Sequence, residues 1–158
     1  MEKPSEQNFQ LLKLKQEKNG GLTIEWHESA AHGDTVTQNK IKQTSNDIPH
    51  PDLINVLKMF KRFVGDVIFA DQNNLTIDVK GVAVSGENDS RGVIIMSTMD
   101  SLAGLPIVLN THRIKLIDEV YGFEPELETG IDMLETEAYE YVYAGKKAQL
   151  ELFDETQE

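Results

Sequence analysis

Cysteine is absent from all 158 residues. That rules out disulfide staples, thiolate nucleophiles and cysteine-ligated zinc, and it agrees with a reducing compartment. There is also no run of about 18 apolar residues, the length that a membrane-spanning helix needs. The opening MEKPSEQNF lacks the apolar stretch of a signal peptide. These absences predict a cytoplasmic protein with no membrane contact. Apolar residues make up 39% and charged residues 27%, as in ordinary soluble domains, and the length suits one core.

Basic residues are scarce in one part of the chain only. Residues 1–62 hold nine Lys/Arg against eight Asp/Glu, whereas residues 63–158 hold six against nineteen, so nearly all of the net charge of −12 lies in the second part. No basic residue occurs between Lys115 and Lys146, where nine acids stand. Such a surface repels phosphate backbones, so direct nucleic-acid binding is not expected unless a local basic patch overcomes it. The acids Glu128, Asp132, Glu135, Glu137 and Glu140 have two readings: a solvated face that keeps the protein soluble, or a row of carboxylates imitating DNA phosphates.

The segment LLKLKQEKNGGLTIEWHES reads as a hairpin. Leu12 and Leu14 alternate with lysines, Asn19-Gly20-Gly21 tolerates positive φ, and Leu22, Ile24 and Trp26 alternate with polar residues. A third, polar, edge-like strand is expected near Thr35–Thr44. PHPDLINVLKMFKRFVGDVIF then reads as a helix, with Pro51 in its first turn and Leu53, Val56, Leu57, Phe60, Phe63, Val64, Val67 and Ile68 on one face. Three further strands are read in LTIDVKGVAVSG, RGVIIMSTM and IVLNTHRIKL, with a bulge at Gly81 where the alternation changes phase. A last helix is expected from Pro125 to about Ala148, carried by Leu127, Ile131, Leu134, Ala138, Tyr141 and Val142 and weakened at Gly130. The fold class is α+β: two sheet-plus-helix halves in the order βββα-βββα, forming one domain over residues 1–145, with 146–158 as a tail.

Catalytic chemistry has few carriers. His27, His32, His50 and His112 show no ligand spacing, and structural or surface roles are expected for them. No G-x-S-x-G or S-x-x-K is present, and SGENDSRG has its glycines at the wrong separation for a phosphate loop. The reading is therefore a protein that is not an enzyme, with no catalytic, cofactor or metal site.

The tail GKKAQLELFDETQE holds the most specific signal. Gln149, Leu150, Leu152 and Phe153 match the pentapeptide Q-L-x-L-F, which is similar to the one by which bacterial polymerases, repair proteins and phage factors dock on the β sliding clamp. Two hydrophobic side chains fill an apolar cleft while the glutamine amide sets orientation. Four specified positions arise by chance in a chain of this length on the order of once in several hundred sequences, so the match carries weight. Glu151 stands where Ser or Asp is commoner. The competing reading has Leu150 and Phe153 prolonging the apolar row of the last helix.

The order of PHPDLINVLKMFKRF, VKGVAVSGENDSRGVIIMST, GLPIVLNTHRIKL and YEYVYAGKKAQLELF resembles small proteins encoded by tailed bacteriophages and prophages. These share a HPDL helix start, a V-x-G…SG…GV-I hairpin and a Y-x-x-x-GK-x-AQ…LF ending. The resemblance spans roughly residues 40–153. It implies a bacterial cytoplasm containing a β clamp, and no mechanism. Three functions follow as expectations: recruitment of the host clamp through 149–153, an acidic inhibitor of a DNA-binding or defence protein, and a self-assembling or virion-associated module pairing through its polar edge strand.

Overall fold

A computed structural model describes residues 4–68 and 76–148. The strands are β1 (Phe9–Gln16), β2 (Leu22–His32), β3 (Thr35–Ser45), β4 (Asp78–Ser85), β5 (Gly92–Asp100), β6 (Pro106–Asn110) and β7 (Ile114–Lys115), and the helices α1 (Pro51–Met59), α2 (Lys61–Val67) and α3 (Glu124–Tyr143). The mixed α and β class agrees with the sequence. The two halves, however, do not form separate sheets. They share one antiparallel sheet in the order β3-β2-β1-β4-β5-β6, because β1 pairs with β4 at Lys13↔Ala83 and Leu14↔Val82. The first strand of each half thus lies at the centre, and β3 and β6 are the edges.

The element order is also less simple than βββα-βββα. The helix expected from Pro51 breaks at Phe60, whose N–H bonds back to the Leu57 carbonyl in a tight turn. The break keeps the apolar face in phase, so Leu53, Val56, Leu57, Phe60, Phe63 and Val64 are all buried. IVLNTHRIKL is two strands instead of one. Both β6 and β7 pair with the outer side of β5, and between them Thr111 holds the ladder through its N–H to the Ile95 carbonyl and its hydroxyl to the Ile95 N–H. In β1 the register shifts between Leu11 and Lys13, so Leu11 and Leu14 are buried and Leu12 is only half-buried. The bulge near Gly81 is present between Val79 and Gly81. Glycine is required at 81, where a Cβ would lie 2.1 Å from the Leu14 carbonyl oxygen.

One hydrophobic cluster takes Leu14, Ile24, Val82 and Ile95 from the sheet, Leu57 and Phe60 from the first helices, and Leu127, Ile131 and Leu134 from α3. The helices pack on one face of the sheet, α3 over β1 and α1 over β4. By strand alternation the opposite face presents Lys13, Lys15, Glu25, Lys42, Ala83, Ile94, Met96 and Val108, and no described helix covers it.

Candidate functional site

The expected docking residues Gln149, Leu150, Leu152 and Phe153 lie outside the described residues. The chain that delivers them is described up to Ala148. The last helix was expected to run to that residue, but α3 closes at Tyr143. Gly145 adopts φ +66°, and both the Ala144 and Lys146 N–H groups return to the Glu140 carbonyl, a glycine-dependent helix stop. The apolar row of α3 therefore ends at Tyr141 and Val142.

Past the stop, the chain is tied to the strap between β3 and α1. Lys147 forms a single β-bridge with Pro49, and the Ala148 N–H donates to the Ile48 carbonyl at 2.8 Å. The Lys147 ammonium lies 2.8 Å from an Asp47 carboxylate oxygen and over the Tyr141 ring, and the Tyr141 hydroxyl donates to the Asp47 carbonyl at 2.6 Å. Lys146 sits among Asp52 (3.0 Å), Glu137 (3.1 Å) and Glu140 (3.2 Å). Hydrogen bonds to Asp52 first, then to Glu137 and Glu140, hold its ammonium well above the usual lysine range. In return Asp52 and Asp47 are held below the usual carboxylate range by Lys146 and Lys147. All of these ties precede Gln149.

The five acids singled out on α3 divide between two flanks of the helix. Glu128 and Asp132, one turn apart, face Arg91 at 3.8 and 3.6 Å, and Glu135 on the same flank accepts the Leu11 N–H at 2.8 Å. Burial pushes the Glu135 carboxyl above its ordinary range, against the Leu11 bond and Arg91, which pull it down. Glu137 and Glu140 lie on the other flank, against Lys146. The acidic stretch is thus two rows, each meeting a cation brought by another element.

A cleft that sequence spacing did not reveal lies before α3. It holds about 100 Å³ and is lined by His112, Arg113, Asp118, Tyr121 and Glu124 among others. His112 Nδ1 lies 3.0 Å from the Arg113 carbonyl and Nε2 lies 2.5 Å from the Tyr121 hydroxyl, so both ring nitrogens are engaged. Glu124 is buried; one carboxylate oxygen accepts the Tyr121 N–H at 3.0 Å, and the other has no partner among the described residues. The cleft is well below the several hundred Å³ of ordinary ligand sites, and its arrangement braces the turn into α3. His50 caps α1 by accepting the Asp52 N–H, and His27 and His32 lie on β2. Among the described residues, no group of three His, Asp or Glu side chains is placed to hold a metal ion. No helix among them is long and apolar enough to cross a membrane.

No family model, curated protein or solved structure matches this chain. The phage resemblance and the docking peptide therefore rest on the residues quoted above.

Proposed function

We propose that this protein is a phage accessory factor, without catalytic activity, that recruits the β sliding clamp of a bacterial host through Gln149, Leu150, Leu152 and Phe153, acting in the host cytoplasm. The observation that carries this reading is the Q-L-x-L-F match placed directly after Ala148. Two structural features support it. The glycine stop ends α3 before the peptide begins, and the bonds of Lys147 and Ala148 to the 47–49 strap root the segment on the folded body. The residues just before the peptide are thus already held in place, which lowers the ordering cost of docking.

The test is binding of the full chain to purified β clamp by surface plasmon resonance, beside a Leu152→Ala plus Phe153→Ala variant. Losing two buried hydrophobic anchors is expected to weaken binding by more than about 100-fold. No binding by the native chain, or equal binding by the variant, would sink the proposal.

Of the other readings, self-association has a specific observation in its favour, though not at the edge expected. The β3 edge is polar and carries Lys40 and Lys42, which discourage edge-to-edge pairing. The opposite edge, β6, is apolar. Val108 is 71% exposed, and Leu102, Leu105 and Ile107 are exposed beside it, within a run from Ser101 to Thr111 that carries no charged residue. A second copy of an anionic chain meets no like charge there. The acidic-inhibitor reading needs one continuous carboxylate surface, and the two-row arrangement on α3 does not favour it.

A further inference from the structure

The charge of this protein is segregated by layer, which counting along the chain does not reveal. The nine acids between Lys115 and Lys146 lie on α3 and the loop before it, whereas the face of the sheet that no described helix covers carries Lys13, Lys15, Lys40, Lys42, Lys80 and Lys115 against Glu25, Asp78 and Asp100. Two of those acids are paired: Glu25 lies 3.6 Å from Lys40 and Asp78 lies 2.6 Å from Lys80. Lys13, Lys15 and Lys42, together with Lys18 at the β1–β2 turn, have no ion-pair partner among the described residues. At the end of the face near that turn is a concavity of about 780 Å³. It reaches from Thr44 on β3 to Val108 on β6 and is lined also by Lys15, Lys18, Lys80 and Thr98. Its one carboxylate, Glu17, accepts a hydrogen bond from the Thr23 hydroxyl at 2.8 Å.

We propose that this open sheet face binds single-stranded nucleic acid through its phosphodiester backbone. Six strands at about 4.8 Å spacing give a trough about 24 Å across, long enough for a short stretch of extended strand. The cations that line the concavity are all lysines, point charges that suit phosphate, and no arginine lines it for bidentate reading of carboxylates or of base edges. The Thr98 hydroxyl supplies a donor for phosphate or sugar oxygens, while Ile94, Met96 and Val108 offer apolar surface to base faces. Recognition is therefore independent of base sequence. A duplex keeps its base faces stacked inside and cannot use the apolar surface, so a single strand is the tighter ligand. The acidic layer behind the sheet repels the same polyanion, so it directs the strand to this one face.

The experiment is fluorescence anisotropy of a labelled 20-mer of thymidylate with the full chain. Four phosphate contacts by Lys13, Lys15, Lys18 and Lys42 predict a log–log salt slope of about −3, so affinity falls about 50-fold between 50 and 200 mM salt. The combined variant Lys13→Ala, Lys15→Ala, Lys18→Ala and Lys42→Ala is expected to lose binding at 50 mM salt with an unchanged melting curve. Lys58→Ala plus Lys61→Ala, on the helix side, should bind as the native chain does. Lack of binding at 50 mM salt, binding indifferent to the four sheet lysines, or binding of duplex or poly-glutamate as tight as that of the single strand would each overturn the proposal. The Leu152→Ala plus Phe153→Ala variant should retain oligonucleotide binding, so this result and the clamp result fail separately.

Discussion

Gly130 sits near the middle of α3, where glycine costs about 1 kcal/mol relative to alanine. Helix propensity alone would make Gly130→Ala stabilising. Packing reverses the sign. A Cβ at 130 would lie 3.2 Å from Cζ and 3.3 Å from Cε1 of Phe60, inside the 3.5–4.0 Å at which carbon atoms attract. Phe60 has nowhere to go: it is fully buried and stands edge-on to Phe63 at 5.8 Å, and Phe63 is tilted against Phe123 at 4.9 Å. Overpacking of this kind costs about 1–3 kcal/mol, so after the helix gain the expected net loss is about 1 kcal/mol. In a chain of 158 residues that lowers Tm by about 2–4 °C. Thermal and urea melts of Gly130→Ala measure it, and a second background identifies the cause. In Phe60→Leu the ring is gone, so the same glycine substitution should become neutral or stabilising. A raised Tm in the native background, or the same change in both backgrounds, would refute the reasoning.

Two other expectations follow from the geometry. Because burial raises the folded-state pKa of Glu135 above its unfolded value, the native state holds that proton more tightly, and ionisation lowers stability as pH rises past the ordinary carboxylate range. Glu135→Gln keeps an acceptor for the Leu11 N–H without the charge. It should raise Tm at pH 7 and converge with the native chain near pH 4; an equal difference at both pH values would contradict this. If copies pair through β6, sedimentation should show concentration-dependent association that Val108→Lys abolishes, and a native chain monomeric at about 100 μM would exclude the contact.

The elements legible in the sequence were those whose signal is local. Helical spacing from Leu53 to Val64 picked out the buried face of α1 and α2, and the phase change at Gly81 marked a bulge that is there. What was not legible depends on distant partners. Adjacent Leu11 and Leu12 are equivalent as residues, and only the bulge in β1 decides which is buried. The pairing of Lys13 with Ala83, which merges the halves into one sheet, has no local sign. The same holds at the surfaces. The acids of α3 were visible, but not that Arg91 and Lys146 would face the two flanks. The His112, Tyr121 and Glu124 cleft has no motif spacing, since a loop assembles it.

The two proposed surfaces meet at one end of the molecule. Asn19, in the β1–β2 turn beside Lys18, donates to the Asn46 side chain, and a Cβ on Gly20 would strike Ile48, so that turn rests on the 46–49 strap. The same strap receives Lys147 and Ala148, the last residues before the docking peptide. The root of the peptide and the lysine-bearing mouth of the trough therefore share one support. Under the two proposals, a partner bound to the segment that follows Ala148 and a strand bound at Lys15 and Lys18 would both bear on this strap.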